Sequence, residues 1–474
     1  MIVFRIILIL AIPVSSFAQV ANWEPAGMPM YPNDIRCIYN DTVDDLLYVG
    51  GYIKPTIVGN DQNQKLCVYD GSSWDCFDSF GGPIEAIIRF DGELFVGGWF
   101  CEINGNAMCG GARWDGSDWH PLTNWEPIQG GVINNFKVWN DELYAFGSFD
   151  SINGKELHGI AKWTGSDWES VNDFYAGQYL DGFYVTDATM FQGKLYVAGN
   201  FNYDGVADLL VFDQGEWRAV EGSFHGSLNV VTRIQVYKDE LYAIGSISKP
   251  AGNVGHGIQK WDGQFWTQVG DGIADTDGTQ TNGFTNVREM VVHNDLLYVV
   301  GPYRWVSGLE APCGVGRWDG QQWCTDTTLQ LQQGADAIGF YHDTLFIGFS
   351  KNDSIVNGEQ TRCILKYTEV DIQDTCSEVY PVGTNELAVQ QLSDQFKVYP
   401  NPAADAVNIS WDNLNIGRIE VTLSDIRGAV VYREDVFGSS KSTTMPLSGI
   451  EPGVYLLSLS SNTESLSAVK LVVQ

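Results

Sequence analysis

Carboxylates are the side chains of this sequence most suited to chemistry, because 59 Asp and Glu residues stand against 27 Lys and Arg. The stretch "ARWDGSDW" (residues 112–119) sets Asp115 and Asp118 between two tryptophans, where paired acids could transfer protons or hold a metal ion. The related stretches "AKWTGSDW", "QKWDGQFW" and "GRWDGQQW" each replace one of the two acids. A catalytic or metal-binding carboxylate is not expected to vary so freely between copies, so this loop is predicted to be a hairpin turn.

A second acidic stretch is "GDGIADTDGTQTNG" (residues 270–283), which carries Asp271, Asp275 and Asp277. Carboxylate oxygens are ligands that Ca²⁺ prefers, so calcium is the cofactor this stretch could bind. The spacing does not fit an EF-hand loop, because the glycine comes too early and no Glu closes the loop. A solvated polar loop is therefore favoured over a calcium site, and no other cofactor is expected.

Aromatic side chains cluster in the insertion "DFYAGQYLDGFYVTD" (residues 173–187). Tyr175, Tyr179, Phe183 and Tyr184 could stack on the sugar rings of a glycan or bind a peptide. Packing in the core between neighbouring repeats is the favoured alternative, since aromatic residues mostly serve cores.

Known catalytic signatures are missing from the sequence. The six histidines are scattered without an HxH or HxxxH pair, and no GxSxG, HExxH or phosphate-binding loop occurs. A pair of acids for glycoside hydrolysis stays an alternative, because so many carboxylates make any single pair unremarkable. A protein without catalytic activity is favoured.

These candidate residues must be positioned by a repeated unit. The motif "LYVGG" and its variants occur in seven copies, which begin at Leu47, Leu94, Leu143, Leu195, Leu241, Leu297 and Leu345. An aromatic residue and a Trp five positions later follow six of the copies: Tyr69/Trp74, Trp114/Trp119, Trp163/Trp168, Phe212/Trp217, Trp261/Trp266 and Trp318/Trp323. Each unit supplies about four short strands in ~50 residues, which is typical of a β-propeller blade.

The seventh copy lacks its Trp, because Ile372 stands five residues after Tyr367. Trp23, near the start of the chain, is expected to supply the missing fourth strand. The prediction is an all-β, seven-bladed β-propeller over residues 20–370, closed by the N-terminal strand. The double glycines, Gly50–Gly51 and Gly97–Gly98, and the spaced aromatic pairs resemble the kelch-type propeller repeat.

The N-terminus indicates export. Residues 1–19 combine Arg5, an apolar stretch and small residues, as a secretory signal peptide does. No other apolar run is long enough for a transmembrane helix. The nine cysteines would then lie in an oxidising compartment. Cys67–Cys76 and Cys101–Cys109 are predicted disulfides, the remaining connectivity is open, and the odd count leaves at least one thiol.

The net charge of −32 disfavours a nucleic-acid partner, because phosphate backbones are repelled by such a surface. The acidity belongs to the first part of the chain, and high solubility is its simplest interpretation.

The C-terminal region has a different pattern. Residues 371–395 read as a linker, and the alternating apolar residues of 396–474 predict a small Ig-like β-sandwich. The sorting motif residues are Tyr399, Pro400, Asn401, Pro402, Gly428, Gly453, Tyr455 and Lys470. This pattern closely resembles the type A C-terminal sorting domain of the Bacteroidetes type IX secretion system. The resemblance implies the outer-membrane secretion machinery as a partner, and a protein released outside the cell or attached to its surface. An ordinary adhesive Ig-like domain is the alternative.

The length variation between repeats predicts where function lies. The connections between second and third strands, and those between repeats, should share one face and hold this variation. We expect that face to bind an extracellular glycan or protein without catalysis. A carbohydrate-active enzyme using carboxylates on this face, and a structural component of the surface layer, are the alternatives.

Overall fold

The computed structural model of the chain describes residues 23–473 except for 30, 55–63, 126–130, 175–183, 204–205, 221–229, 248–256, 264–265, 275–285, 327–333, 351–354, 357–358, 361–362, 368–374, 377–395, 412–417, 426–429, 438–441, 451 and 462–464. The described residues form strands, turns and bends without a helix, so nothing in them could cross a membrane as a helix. The chain divides into two compact units, Met1–Ser377 and Glu378–Gln474.

The first unit is built from short strands. In chain order they are β1 (Trp23–Pro25), β2 (Tyr31–Asp41), β3 (Leu46–Lys54), β4 (Gln64–Tyr69), β5 (Trp74–Phe80), β6 (Ile84–Phe90), β7 (Glu93–Gly98), β8 (Glu102–Ile103), β9 (Asn106–Ala107), β10 (Gly111–Trp114), β11 (Trp119–Pro121), β12 (Val132–Trp139), β13 (Glu142–Ser148), β14 (Ser151–Ile152), β15 (Lys155–Glu156), β16 (Ile160–Trp163), β17 (Trp168–Ser170), β18 (Tyr184–Phe191), β19 (Lys194–Tyr203), β20 (Val206–Asp213), β21 (Glu216–Ala219), β22 (Val230–Tyr237), β23 (Glu240–Ser246), β24 (Ile258–Trp261), β25 (Trp266–Gln268), β26 (Ile273–Ala274), β27 (Glu289–His293), β28 (Leu296–Val300), β29 (Trp305–Val306), β30 (Leu309–Glu310), β31 (Val315–Trp318), β32 (Trp323–Thr325), β33 (Ala337–Tyr341), β34 (Thr344–Gly348), β35 (Ile355–Val356), β36 (Glu359–Gln360), β37 (Ile364–Tyr367) and β38 (Thr375–Cys376).

These strands assemble into seven antiparallel sheets with four principal strands each. We number them as sheet 1 (β2–β5), sheet 2 (β6, β7, β10, β11), sheet 3 (β12, β13, β16, β17), sheet 4 (β18–β21), sheet 5 (β22–β25), sheet 6 (β27, β28, β31, β32) and sheet 7 (β33, β34, β37, β1). The N-terminal strand pairs with the last repeat as predicted, because Trp23 lies opposite Tyr367. The first strands of neighbouring sheets are in contact from sheet 1 through sheet 7, and those of sheets 7 and 1 are in contact as well.

Steric contacts explain why the last position of the "LYVGG" motif is glycine in several copies. A Cβ atom would lie 2.2 Å from the Asp34 carbonyl oxygen at Gly51, and 1.8 Å from the Val132 carbonyl oxygen at Gly147. Each glycine faces a β-bulge, where the register of the first strand shifts by one residue. The extra residues of the bulges in sheets 1 to 5 are Arg36, Glu85, Asn134, Thr186 and Thr232. Bulges re-aim side chains, and here they put a polar residue at the same place in successive sheets.

The aromatic pairs of the repeat pack ring against ring within each sheet, and the final Trp of most pairs also bonds to the preceding sheet. Ring centroids lie 4.9 Å apart in Trp23/Tyr367 and 5.5 Å apart in Trp114/Trp119. Most of the final tryptophans also donate their indole N–H to an acceptor in the preceding sheet. The acceptor residue lies three or four positions after the final Trp of that preceding sheet. The bonds run from Trp23 to Asp326, Trp74 to Ala26, Trp119 to Asp78, Trp168 to Leu122, Trp217 to Asn172 and Trp323 to Val269. The repeated Trp is therefore explained by folding, since it fills the core and satisfies its polar atom across the sheet boundary.

Disulfides join Cys67 to Cys76 and Cys101 to Cys109, the two pairs proposed from the sequence. A third bridge, Cys324–Cys376, spans 52 residues and was not foreseen. It attaches β38, which lies in the segment predicted as a linker, to β32 of sheet 6. The cysteines without a disulfide are Cys37, Cys313 and Cys363.

The second unit contains β39 (Phe396–Tyr399), β40 (Ala406–Trp411), β41 (Arg418–Asp425), β42 (Val430–Phe437), β43 (Ser442–Pro446), β44 (Gly453–Ser461) and β45 (Ser465–Val473). They form one sheet in the order β39-β40-β43 and a second in the order β42-β41-β44-β45. Buried Val407 and Met445 of the first sheet share a core with Leu423 and Leu457 of the second, so the two sheets pack face to face.

Candidate functional site

The principal sheets have two ends, which differ in sequence. We call the end with the turns between first and second strands, and between third and fourth strands, the hairpin end. The opposite end, where first strands begin and second strands finish, is the loop end. Because each sheet is antiparallel, the bulges near the start of the first strands lie toward the loop end.

At the hairpin end, the repeated aspartate is a turn residue. The Asp115 Oδ1 accepts the backbone N–H groups of Ser117 and Asp118, each at 2.8 Å. Asp70 and Asp319 accept the equivalent pair of backbone N–H groups in their own turns. These bonds to the ionised form, with a contact from His120, hold the pKa of Asp115 well below its usual range. The "WDGSDW" loop is thus a hairpin turn, as predicted.

The loop end carries small additional hairpins that the sequence analysis missed. They are β8/β9, β14/β15, β29/β30 and β35/β36. Asn104–Gly105 and Asn153–Gly154 occupy the two central turn positions with positive φ. The Asn-Gly dipeptides at these positions, typical of type I′ turns, were the available signal.

Trp99 is an exposed aromatic residue at the loop end. It follows β7 directly and is 59% exposed, whereas its neighbour Phe100 is buried. The segment after Trp99 is held by the Cys101–Cys109 disulfide and by a bond from the Gly110 N–H to the Phe100 carbonyl oxygen of 2.8 Å. The β8/β9 hairpin is also docked on sheet 1, because Ile103 pairs with Phe80. Trp99 is therefore presented on a constrained loop.

The first strands and the residues directly before them contribute a set of charged side chains that we call the central polar cluster. It consists of Asp34, Arg36, Glu85, Lys137, Asp187, Arg233, Arg288, Glu289 and Asp336. Ion pairs in it join consecutive sheets: Arg36 with Glu85, Lys137 with Asp187 at 2.7 Å, Arg233 with Glu289 at 2.9 Å, and Arg288 with Asp336 at 3.6 Å. The Ser350 hydroxyl lies within hydrogen-bond distance of the Asp34 and Asp336 carboxyl groups and so joins sheets 7 and 1.

The cluster is internally satisfied. Burial raises the pKa of Glu85, and the adjacent Arg36 opposes that rise. Burial likewise raises the pKa of Asp336, against the hydrogen bond from Ser350. Asp187 is fully buried and accepts the Ile234 N–H at 2.9 Å beside its ion pair. We interpret the cluster as a network that links the sheets, because its acids already have partners.

A groove of about 280 Å³ lies between sheets 3 and 4 toward the hairpin end. Trp139, Tyr144, Lys162 and Met190 are among the residues that line it. Lys162 forms ion pairs with Glu142 at 3.1 Å and Glu169 at 2.8 Å, so its charge is balanced within the groove.

The predicted aromatic site is described only in part. Tyr184 begins β18 and is half-buried, whereas Tyr175, Tyr179 and Phe183 lie outside the described residues. Phe174, from the same insertion, is buried and packs edge-on against Trp217 with centroids 4.7 Å apart. At Phe174 the insertion serves the core.

The predicted calcium loop is also described only in part. Asp271 is exposed and its N–H donates to the Ser307 hydroxyl at 2.7 Å, while Asp275 and Asp277 lie outside the described residues. Within the described part of the chain, no three His, Cys, Asp or Glu side chains are grouped to hold a metal ion.

In the second unit, the sorting motif binds the last strand. Asn401, which lies between Pro400 and Pro402, accepts the Val472 N–H on its side-chain oxygen at 2.9 Å. Ala403 donates to the Val472 carbonyl oxygen at 2.8 Å, and Tyr399 is 55% exposed.

Other motif residues lie on the neighbouring strands. Gly453 and Tyr455 belong to β44, Lys470 pairs with Leu456 in the β44/β45 ladder, and Gly428 lies outside the described residues. The "YPNP" motif and the chain terminus thus form one local structure.

Comparison with known families identifies the second unit. Residues 397–474 match the family described as the secretion system C-terminal sorting domain. The protein is therefore secreted and attached at the cell surface of Bacteroidetes, and its sorting domain interacts with the type IX machinery. No curated protein matches the sequence.

Several solved structures share distant similarity with the chain. The β-propeller domain of the Trilobed protease from Pyrococcus furiosus is 12% identical, over 65% of this chain and 82% of that chain, with a TM-score of 0.36. An acylaminoacyl peptidase from Pyrococcus horikoshii is 11% identical, over 82% and 58%, with a TM-score of 0.37. The extracellular domain of a hybrid two component system from B. thetaiotaomicron is 10% identical, over 93% and 74%, with a TM-score of 0.21.

Proposed function

We propose that the first unit is a closed, seven-bladed, kelch-like β-propeller that binds an extracellular glycan at its loop end without catalysis. The seven four-stranded sheets and the cyclic order of contacts between their first strands support the propeller. The pairing of Trp23 with Tyr367 would join the two chain ends of that ring. The sorting domain then presents this binding module outside the cell.

Trp99 carries the proposal for binding. The exposed indole of Trp99 leaves apolar surface in contact with water, and binding a partner would remove that surface from water. Because the Cys101–Cys109 bridge already constrains the loop, ordering Trp99 on binding costs little entropy. Such a rigid aromatic side chain is the kind of residue that dominates binding energy at recognition sites.

A glycan fits this surface better than a protein partner. A stable protein interface needs roughly 800 Å² on each partner with an apolar centre. Among described residues of the first unit, the other large exposed hydrophobic side chains lie toward the hairpin end: Val43, Val138, Met190 and Val292. Trp99 instead has exposed Glu102, Asn104 and Asn106 near it in sequence. One flat apolar face among polar groups suits a sugar ring, which has an apolar face and a hydroxyl rim.

The absence of catalysis is supported by the state of the acids in the central polar cluster. Glycoside hydrolysis uses two carboxyl groups about 5–9.5 Å apart, one able to donate a proton and one free to attack or activate water. Within the described residues, the acids of the central polar cluster are bound by Arg36, Lys137, Arg233, Arg288 or Ser350. Neither role is open to an acid held in this way.

The test is affinity electrophoresis of the full chain in gels containing soluble polysaccharides, followed by calorimetry with those that retard it. We expect Trp99→Ala to weaken binding at least tenfold, which corresponds to about 1.4 kcal/mol. Val43→Ala is the control, because Val43 is 75% exposed at the hairpin end, and it should leave affinity unchanged.

Each other outcome selects an alternative. Shortened sugars released by the wild type would identify a carbohydrate-active enzyme. Equal affinity of Trp99→Ala and wild type would reject the placement of the site. A wild type that binds none of the polysaccharides would leave a structural surface-layer component as the better explanation.

A further inference from the structure

Asp208 departs from a glycine pattern at the start of the third strands. Sheets 2, 3, 5 and 6 have Gly110, Gly159, Gly257 and Gly314 immediately before this strand, with φ between 65° and 85°. Sheet 4 has Asp208 at the equivalent place, with a φ of 84°. The equivalence follows from the pairing, because Gly111, Ile258 and Leu209 each lie opposite the fourth residue of their own "LYVGG" motif.

Two features of Asp208 are unfavourable for folding and are absent at the glycines. A left-handed backbone is unfavourable for any residue with a Cβ atom. The Asp208 side chain is also 1% exposed, and within the described residues its Oδ2 has no hydrogen-bond partner. Cys363, which has the position in sheet 7, is also left-handed, but its thiol donates to the Pro32 carbonyl oxygen at 3.2 Å. The unsatisfied oxygen therefore distinguishes Asp208 from its counterparts.

Sheets 2 and 6 have no room for a side chain at this position. In sheet 2, a Cβ atom at Gly110 would lie 2.3 Å from the Trp125 ring, and in sheet 6 one at Gly314 would lie 2.0 Å from the Gly301 carbonyl oxygen. Buried polar groups are nearly always bonded, so a space that admits a carboxyl group and leaves one oxygen without a partner calls for an explanation.

Two neutral hydrogen-bonding side chains, Tyr184 and Asn200, are among the described groups near Asp208. Tyr184 is near enough for an Asp208 charge to raise its pKa, although burial is the larger cause, and it hydrogen-bonds the Asn200 side chain. Desolvation raises the pKa of Asp208 to about 8, so near neutral pH the carboxyl group is protonated and can donate as well as accept.

We propose that Asp208 is a ligand-binding residue at the loop end, where its buried carboxyl group, beside Tyr184 and Asn200, hydrogen-bonds a hydroxyl group of a neutral glycan. A phenol, an amide and a carboxylic acid together offer donors and acceptors without a fixed charge, which suits an uncharged polyol. This inference rests on the glycan-binding function proposed above and adds to it the preference for a neutral sugar.

The test uses the full chain with three neutral polysaccharides, laminarin, xylan and dextran, and with alginate as the acidic comparison. Asp208→Gly restores the residue of the sister sheets. We expect it to raise the midpoint of thermal unfolding and to weaken binding of a neutral polysaccharide about tenfold. Asp208→Asn keeps a neutral donor and acceptor, and it should bind like the wild type at pH 7.

The pH profile separates a binding role from a structural one. Wild-type binding should weaken as the pH rises through about 8, because the ionised carboxylate can no longer donate, whereas Asp208→Asn should bind equally on both sides of that pH. Equal affinity of Asp208→Gly and the wild type would overturn the role of Asp208 while leaving glycan binding intact. An Asp208→Asn variant that keeps the pH dependence would do the same. Preference for alginate would overturn the neutral-sugar assignment, and a wild type that binds none of the four would reject both proposals.

Discussion

At the hairpin end of the sheets, Asp70, Asp115 and Asp319 each accept two backbone N–H groups, whereas at the loop end Asp208 is buried with an unbonded oxygen. Both kinds of acid belong to the same repeated unit, so the difference does not come from the fold. Copies that agree are explained by turn geometry and packing. The copies that disagree, at Trp99 and Asp208, have features that do not stabilise the sheets, and this is why we assign binding to them.

The largest expected effect is the loss of stability when an acid of the central polar cluster is removed. Asp187→Ala should lower the free energy of unfolding by about 3–5 kcal/mol, because it leaves Lys137 without its partner and the buried Ile234 N–H without its acceptor. Asp115→Ala, at an exposed turn, should cost clearly less. Urea unfolding of both variants measures the difference, and similar losses would contradict the assignment of the cluster to the link between sheets.

A smaller effect should come from the loop-end disulfide. Replacing Cys101 and Cys109 together by Ser should cost about 2 kcal/mol of stability and also weaken glycan binding, because Trp99 loses its constrained loop. Replacing Cys67 and Cys76 by Ser is the matched control, since that bridge crosses one hairpin of sheet 1. The control should lose stability alone. A binding defect of equal size in both variants would mean that the bridges act through global stability.

The smallest effects are opposite slopes of stability with pH. The lowered pKa of Asp115 gives a contribution that is present above the unfolded carboxyl pKa near 4 and is lost as the pH falls, so Asp115→Asn should reduce this loss in acid. The raised pKa of Asp208, about 8, gives a contribution that is lost as the pH rises from about 4 to 8, so Asp208→Asn should flatten that decline. Urea midpoints measured from about pH 2 to about pH 9 cover both slopes, the Asp115 slope below about pH 4 and the Asp208 slope between about pH 4 and 8. Slopes of the same sign would contradict the contrast.

The sequence predicts the repeated part of the fold because repeats expose their own constraints. The spaced aromatic pairs located the third and fourth strands, and the missing Trp after Tyr367 pointed to Trp23. Cys67 and Cys76 could be paired because they lie symmetrically about one turn. Cys324 and Cys376 could not, because they meet only when β38 returns to sheet 6.

The candidate site was harder to predict because it depends on departures from the repeat. The stretches "IRC", "IEA", "VTD" and "VTR" show a polar residue at one place in each first strand, but the bulge that turns it inward is invisible in an alternating pattern. Asp208 was visible as an Asp where other copies have Gly. Its importance depends on burial and on a missing hydrogen bond, which no local pattern reports.

The Cys324–Cys376 bridge has a mechanical consequence for any pull on the first unit from its C-terminal side. Tension that enters the first unit at β38 passes through the covalent bond to β32, and the chain between the two cysteines carries none of it. That shielded length includes the main strands β33, β34 and β37 of sheet 7, and β37 pairs with the N-terminal strand β1. A covalent bond therefore bears the pull, and the hydrogen bonds that join the first and last repeats are spared.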